Sequence, residues 1–283
     1  MRTRPGPAAA ERPSPPEGSS RARRLPPPEA LIDLDIETLV VGPIESNCFL
    51  VRSPAGERSV VIDPGADPER IGAALDRWGA EPDAILLTHA HMDHVGAVGP
   101  LRRRWDVPVY LHPSDLPLYE RAAEHAALFG IRMEPPPPPD RPLADGQAVE
   151  AAGLRFEVRE VPGHSPGGVL LRPEGTRVAF VGDAVFAGSI GRTDLPGGDG
   201  PTLLASIRDR ILTLPPDTVL FTGHGPSTTV ERERATNPFL QGLTAPQPCQ
   251  RCGEPLPMRV AGCRAGHCPN CGHPYPHGDC SDP

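Results

Sequence analysis

The sequence contains no lysine; all 28 of its basic side chains are arginine. Against 36 acidic residues they leave a net charge of −8. That balance lacks the basic footprint that binding to a phosphate backbone requires, so nucleic acid is not an expected partner. Aromatic residues are only 4% of the chain, so the core must be mainly aliphatic. No apolar run reaches the ~18–20 residues that a membrane helix needs. The first thirty residues carry arginines but no apolar stretch of the kind a secretory signal needs. Cysteine is almost absent before position 249, where only Cys48 precedes the remaining six. This distribution argues against a disulfide-stapled secreted core. The expectation is a cytoplasmic protein with reduced thiols.

What the chain has in excess is proline, 40 in 283 residues. Together with the all-arginine usage, this suggests a GC-rich coding sequence. Residues 1–30 are rich in Pro, Arg, Ala and Ser and offer little to bury, so a disordered arm is expected there. The length suits one full-sized domain and a small appendage. The boundaries expected are 31–240 for a catalytic domain, 241–248 for a linker and 249–283 for a cysteine-rich tail.

Within the large domain, IETLVV, NCFLVRS and RSVVIDPG read as three closely spaced strands, best joined as antiparallel hairpins. DPERIGAALDRWG reads as a helix, with Asp67 as N-cap, Pro68 at its first turn and Gly79 at its end. DAILLTH is a buried strand, HVGAVGPLRRRW a helix, VPVYLH a strand and PSDLPLYERAAEHAALFG a longer helix. IRMEPPPPPDRPLADGQ holds five consecutive prolines and predicts an extended loop that shapes the substrate entrance. LRFEVREV, GVLLRP and TRVAFVG are strands. GPTLLASIRDRILTLP is an amphipathic helix, TVLFTGHG a strand and TTVERERATNPFLQ a last helix. Two β-rich halves, each with helices, imply two sheets packed face to face with helices outside.

Four apolar runs end alike. AILLT runs into His89, FEVREVPG into His164, RVAFVG into Asp183 and TVLFTG into His224. Each delivers a metal-ligand residue type just past a strand, where sheets of this kind collect ligands. The stretch THAHMDH is the densest. In an extended segment His89 and His91 point the same way, whereas the start of the next helix turns Asp93 and His94 to another side. One loop can thus serve two ions. His89 and His91 would join His164 at the first, and Asp93 and His94 would join His224 at the second. Asp183, with two carboxylate oxygens, can bridge them. Imidazole and carboxylate suit zinc, and also iron or manganese. A single histidine of this kind would ordinarily be a solvated loop residue. The pattern His-x-His-x-Asp-His with three more ligand types, each after a strand and beside glycine, is a joint coincidence too large for that account.

These segments, THAHMDH, PGHSPGG, FVGDAVFAGSIGRTDLPGGD and FTGHGPSTT, together resemble the metallo-β-lactamase superfamily. Within it they look most like the glyoxalase II-like hydrolases, and GSIGRTDLPGGD like their compact bacterial branch. The resemblance spans about residues 34–240. It implies an α/β fold, the four-layered αβ/βα sandwich, and a ligand set of His89, His91, Asp93, His94, His164, Asp183 and His224. It further implies two active-site metal ions and hydrolysis of a small-molecule thioester such as S-lactoylglutathione. A hydroxide held between two ions would attack the thioester carbon, a metal would stabilise the oxyanion, and Asp93 would orient the nucleophile or relay its proton. Typical glyoxalase II enzymes carry a C-terminal helical domain that holds glutathione. Here a cysteine-rich tail stands in its place, which leaves the thiol carrier open.

Several residues admit two readings. Asp63 in VIDPGAD either orients a ligand from outside the metal shell or makes an ordinary Asp-Pro-Gly turn. Asn47 and Cys48 read as strand packing. Arg192 either binds an anionic substrate or buttresses its loop through Asp194. Arg132 and Arg141 flank the proline run as rim or solvated charges.

In the tail, CQRC at 249–252 and CPNC at 268–271 are separated by fifteen residues. This spacing matches a structural zinc held by Cys249, Cys252, Cys268 and Cys271, and the segment resembles a zinc ribbon. Cys263, Cys280, His267, His273 and His277 are further possible ligands. The tail is too poor in apolar residues to fold without the metal, and it offers a module for a protein partner. Two alternatives to the hydrolase stay open from sequence: a mononuclear iron persulfide dioxygenase, whose family shares the Gly-Arg-Thr-Asp motif, and a non-catalytic binding scaffold. A β-lactamase or a nuclease of the same superfamily fits less well.

Overall fold

The structure is a computed structural model, which describes residues 32–54, 56–243, 266–267 and 274–275. The expected N-terminal arm and the four-cysteine zinc site lie outside these residues, apart from a short antiparallel pairing of Gly266–His267 with Pro274–Tyr275.

The chain begins with β1 (Asp35–Val41), β2 (Ser46–Arg52), β3 (Arg58–Ile62), α1 (Pro68–Trp78) and β4 (Glu81–Leu86). Then come α2 (Met92–Val95), α3 (Val98–Trp105), β5 (Val109–Leu111), α4 (Leu116–Glu120), α5 (Ala122–Leu128) and β6 (Arg141–Pro142). These six strands form one sheet in sequence order. The first three are antiparallel neighbours, as their close spacing predicts, and β3 through β6 run parallel. The second half supplies β7 (Ala148–Ala151), β8 (Leu154–Glu160), β9 (Val169–Pro173), β10 (Val178–Gly182), β11 (Val185–Phe186) and β12 (Ser189–Ile190). It continues with α6 (Gly200–Ser206), β13 (Val219–Thr222), β14 (Thr228–Thr229) and α7 (Val230–Thr236). The second sheet has the order β14-β13-β10-β9-β8-β7.

Side-chain alternation sorts the residues into layers. On β2, Phe49 and Val51 face the second sheet, while Cys48 and Leu50 face the helices of the first half. On β10, Phe180 faces the first sheet, while Ala179 and Val181 pack under Leu203, Ile207 and Val230. Helices, sheet, sheet and helices thus stack in four layers around three apolar interiors. This is the αβ/βα sandwich that the sequence implied. Between the sheets, Phe49 meets Phe180 at 5.1 Å and Phe221 at 5.5 Å between ring centroids, an aromatic contact across the two halves.

The helices depart from the sequence reading. The expected helix 94–105 is two, α2 and α3. The Ala97 N–H donates to Pro64 O at 2.9 Å, outside the helical ladder, so the chain turns there to stay against the β3–α1 loop. The expected long helix over 113–130 is a 3-10 turn at Pro113–Asp115 followed by α4 and α5. Pro113 and Pro117 each open a new turn, where a missing N–H is tolerated. The helix 200–215 becomes α6 and then a π turn, with Leu212 N–H donating to Ile207 O at 2.8 Å. The last helix stops at Thr236, because Pro238 drives Asn237 to an extended conformation (ψ 118°). Asp67 does not cap α1 through its side chain. It adopts the left-handed conformation (φ 52°), and its carboxylate instead accepts from Gly42 N–H at 3.0 Å.

Candidate metal centre

The strand ends deliver their side chains to one place. Past β4 the chain places His89, His91, Asp93 and His94; past β8, His164; past β10, Asp183; past β13, His224. Ligand atoms of His89, His91 and His164 lie within 4.8 Å of one another, and so do those of Asp93, His94 and His224. Asp183 stands between the two trios. Its Oδ2 is 3.5 Å from His164 Nε2 and 3.5 Å from His224 Nε2, and its Oδ1 is 3.4 Å from His94 Nε2. All seven residues singled out by the sequence therefore converge, in the expected grouping.

Each imidazole is aimed by what holds its other nitrogen. His94 Nδ1 is 3.1 Å from Asp63 Oδ2, and His89 Nδ1 is 3.1 Å from Thr88 Oγ1. His164 Nδ1 donates to Arg192 O at 2.8 Å, and His224 Nδ1 to Glu45 O at 3.2 Å. Four Nε2 atoms are thereby left for the centre. His91 is turned the other way, with Nδ1 2.8 Å from His164 Nε2. Ring nitrogens at that separation either share one proton or face a common cation. Asp63, Thr88 and the outer nitrogens form a support layer. Asp63 is fully buried, and its carboxylate accepts from Thr88 N–H at 2.7 Å and from Thr88 Oγ1. Asp63, His89 and His94 also gather within 4.8 Å, but hydrogen bonds already occupy that group. It is a buttress, and this decides the double reading of Asp63: the Asp-Pro-Gly turn (φ 51°) exists, and it aims the carboxylate at His94.

A metal fits the remaining groups. His89 Nε2, His94 Nε2 and Asp183 Oδ1 are buried without a hydrogen-bond partner, which a folded chain rarely leaves uncompensated. The electrostatics differ between the trios. Burial, and the neighbouring imidazoles after it, push His89 well down and His91 to about 3, so both are neutral and ready to ligate. Burial also opposes charge on His94, but Asp183, Asp93 and Asp63 overcome it and lift His94 to about 10. His224 is raised too, with burial outweighed by its hydrogen bond to Asp93 and the charge of Asp183. Burial works against ionisation of Asp93, yet His94 and His224 hold it below the usual carboxylate range. The carboxylate-bearing trio thus favours positive charge at its centre, as a cation would supply.

The secondary candidates sort themselves. Arg192 makes a bidentate pair with Asp194 at 2.7 and 2.6 Å, on the surface, while its carbonyl steadies His164. Asn47 does more than pack. Its amide donates to Thr222 O at 2.8 Å and Gly225 O at 2.9 Å, holding the turn that carries His224. Cys48 is a buried core residue, as expected. A cleft of about 370 Å³ beside Asp93 is lined by Ile131, Arg132, Met133 and Glu134 and, across from them, by the β1–β2 turn. The residues before the proline run, rather than the prolines, therefore border this cleft. Arg141 lies apart from it, in β6. Sequence reasoning missed Ser46, whose hydroxyl donates to Asp93 O at 2.6 Å, and His125, close enough to His91 to oppose its protonation. It also missed Asp115. Nothing in the local pattern around any of the three points to the centre.

A four-layered sandwich with two His/Asp metal-binding groups at its strand ends defines a metallohydrolase of the metallo-β-lactamase kind. The chain belongs to the Metallo-beta-lactamase superfamily, which it matches over residues 41–224. It is 36% identical over 209 residues to the hydroxyacylglutathione hydrolase GloC of Haemophilus influenzae, covering 73% of this chain and 98% of that one. Among solved structures, it is similar to TTHA1623 in a di-iron-bound form (48% identity, TM-score 0.68, 72% of this chain and all of the other). It is also similar to the BLEG-1 B3 metallo-beta-lactamase (40% identity, TM-score 0.70, 74% of this chain and all of the other). Among the described residues, no helix is long and apolar enough to cross a membrane.

Proposed function

We propose that the protein is a thioester hydrolase of the glyoxalase II type, working with two divalent ions. Zinc is our first assignment, and the same donors suit iron or manganese. The observation that carries the reading is Asp183, with one oxygen against His94 and the other between His164 and His224. That arrangement supports a pair of ions sharing one carboxylate. The likeness to GloC over nearly its whole length supports the thioester.

When bound, the ions would supply a nucleophilic hydroxide at neutral pH and polarise the carbonyl oxygen. The protein's own groups do the rest. His89, His91 and His164 would hold one ion, Asp93, His94 and His224 the other, and Asp183 both. Asp93 would also orient the attacking water or relay its proton. The departing thiolate is stable enough to leave without a strong acid. Asp63, Thr88, Glu45 O and Arg192 O keep the imidazoles from turning. In the tail, Cys249, Cys252, Cys268 and Cys271 would hold a third, structural zinc and present a surface to a protein partner. We place the protein in the cytoplasm.

The test is metal analysis of the full chain together with three assays. The reading expects about three zinc per chain, about two after Cys249 and Cys252 are both exchanged for serine, and hydrolysis of S-lactoylglutathione. About one iron with oxygen uptake on a persulfide would replace it with sulfur oxidation. Turnover of a β-lactam without thioester hydrolysis would replace it with the activity named for BLEG-1. Metal binding without turnover of any of the three would favour a binding scaffold.

A further inference from the structure

Asp115 lies at the end of the 3-10 turn that follows β5, and it contributes no atom to either trio. It is completely buried. Its Oδ2 accepts from Ala90 N–H at 2.9 Å and from Ser165 Oγ at 2.8 Å, and its Oδ1 accepts from Gly167 N–H at 2.6 Å. Ala90 sits between His89 and His91, and Ser165 directly follows His164. One carboxylate therefore grips the chain beside all three imidazoles of the first trio. It also joins the two halves of the fold, because Ala90 follows β4 of the first sheet and Ser165 and Gly167 lie between β8 and β9 of the second.

The fit around this carboxylate is close. A Cβ on Gly167 would stand 2.8 Å from Asp115 N and 3.0 Å from Asp115 Oδ1, so this loop can reach the carboxylate only through a glycine. Burial raises the Asp115 carboxyl above the ordinary aspartate range, against the pull of its three hydrogen bonds. A charge kept at such a cost needs a counterpart in function or fold. The second trio has its own supports: Asp63 on His94, Ser46 on Asp93, and Glu45 O and Asn47 at His224. Asp63 also reaches the His89–His91 loop, through the Thr88 N–H and hydroxyl, and Ser46 holds the same loop at Asp93, but none of these groups reaches the loop that carries His164.

We propose that Asp115 is the positioning residue of the first metal position. It fixes the separation between the His89–His91 loop and His164, and it leaves the second position to other groups. The inference rests on the reading that the first trio holds an ion. It predicts that Asp115→Asn weakens one metal position and spares the other. The amide would keep one accepting oxygen, but its NH2 would confront either the Gly167 N–H or the Ala90 and Ser165 donors.

The experiment is a chelator competition on the full chain, with Co2+ as the probe and absorption spectra recorded at each step. Wild type should hold two ions in the domain. Asp115→Asn should release one of them at about 10–100-fold lower chelator concentration, with the spectrum of the second ion unchanged, in keeping with the effect of outer groups on metal affinity. Ser165→Ala, which removes one of the three bonds, should shift the same ion in the same direction by less. Should Asp115→Asn fail to fold, Ser165→Ala carries the test alone. Glu233→Gln, another fully buried carboxylate, is the comparison for a general loss of stability and should shift neither ion. The inference fails if Asp115→Asn holds both ions as wild type does, if both positions weaken equally, or if Glu233→Gln reproduces the selective loss. A wild-type chain that binds no Co2+ in the domain would instead sink the metal reading itself.

Discussion

Replacing Asp63 by asparagine isolates the cost of the support layer. The residue has φ 51°, a left-handed conformation that asparagine tolerates, so the exchange adds little backbone strain. What changes is the hydrogen bonding. Asp63 Oδ1 accepts from Thr88 N–H, and Oδ2 accepts from the Thr88 hydroxyl and faces His94 Nδ1. An amide in the less costly orientation keeps its oxygen toward Thr88 Oγ1 and His94, and turns NH2 against the Thr88 N–H. That leaves a buried donor unpaired, at about 1–3 kcal/mol, and the surviving bonds lose their ionic strength, about 1 kcal/mol more. The sum is about 3 kcal/mol, or a fall in Tm of about 6–12 °C for a domain of this size. The assay is thermal unfolding in the presence of a chelator, which separates the fold from metal binding. Asp63→Ala should fall further by about 1 kcal/mol, because alanine resists the left-handed backbone. An asparagine variant melting within about 2 °C of wild type would refute this account of Asp63.

Other outcomes follow from the same geometry. Phe180→Ala opens a cavity between the sheets beside Phe49 and Phe221 and should cost about 3–5 kcal/mol in denaturant unfolding, without changing metal stoichiometry. Gly223→Ala would place a Cβ 2.0 Å from Asp183 Oδ1 and 2.8 Å from His94 Cε1. It should displace the shared carboxylate and lower metal content, read by elemental analysis; full metal content would contradict the central place of Asp183. With metal chelated, stability should peak near the unfolded histidine pKa of about 6.5. His91, held down to about 3 when folded, binds its proton only in the unfolded chain, so stability falls as pH drops below about 6.5 toward 3. His94, raised to about 10, holds its proton in the folded chain, so its contribution is complete below about 6.5 and is lost as pH rises toward 10. Urea unfolding at acid, neutral and alkaline pH would show the peak, and a flat profile would count against both assignments.

The candidate metal residues were legible because four apolar runs lead into His89, His164, Asp183 and His224, because His91, Asp93 and His94 crowd the first of those loops, and because strand ends on one edge meet. The layers were legible for a related reason: alternation on β2 and β10 assigns each side chain to one of two interiors. Apart from Asp63, whose place beside a ligand was one of its two readings, the supports were not. Asp115, Ser46 and Asn47 act on main-chain atoms of segments far away in sequence, such as the 175 residues between Asn47 and Thr222. No residue-type pattern records such a partner. The helices misread for a similar reason. Ala97 gives its N–H to Pro64 rather than to the helix, a tertiary contact that overrides local propensity.

The two halves of the chain contribute unequally in chemistry, and that inequality organises the site. The first half supplies one dense loop, with three histidines and an aspartate within six residues. The second supplies single residues, His164, Asp183 and His224, each on its own loop. A dense loop can set the angles among its own ligands, but it cannot set their distance to a residue on the other sheet. That distance must come from groups that cross between halves. Asp115 does this at the all-imidazole trio, and Asn47 does it at His224, each by gripping main chain. Asp183 then needs only to lie between two positions already fixed, which its two oxygens do without any partner beyond the site. The precision of the centre therefore resides in the crossing hydrogen bonds as much as in the seven side chains. Variants of the crossing residues should change which ions are held, and how tightly, before they change the fold.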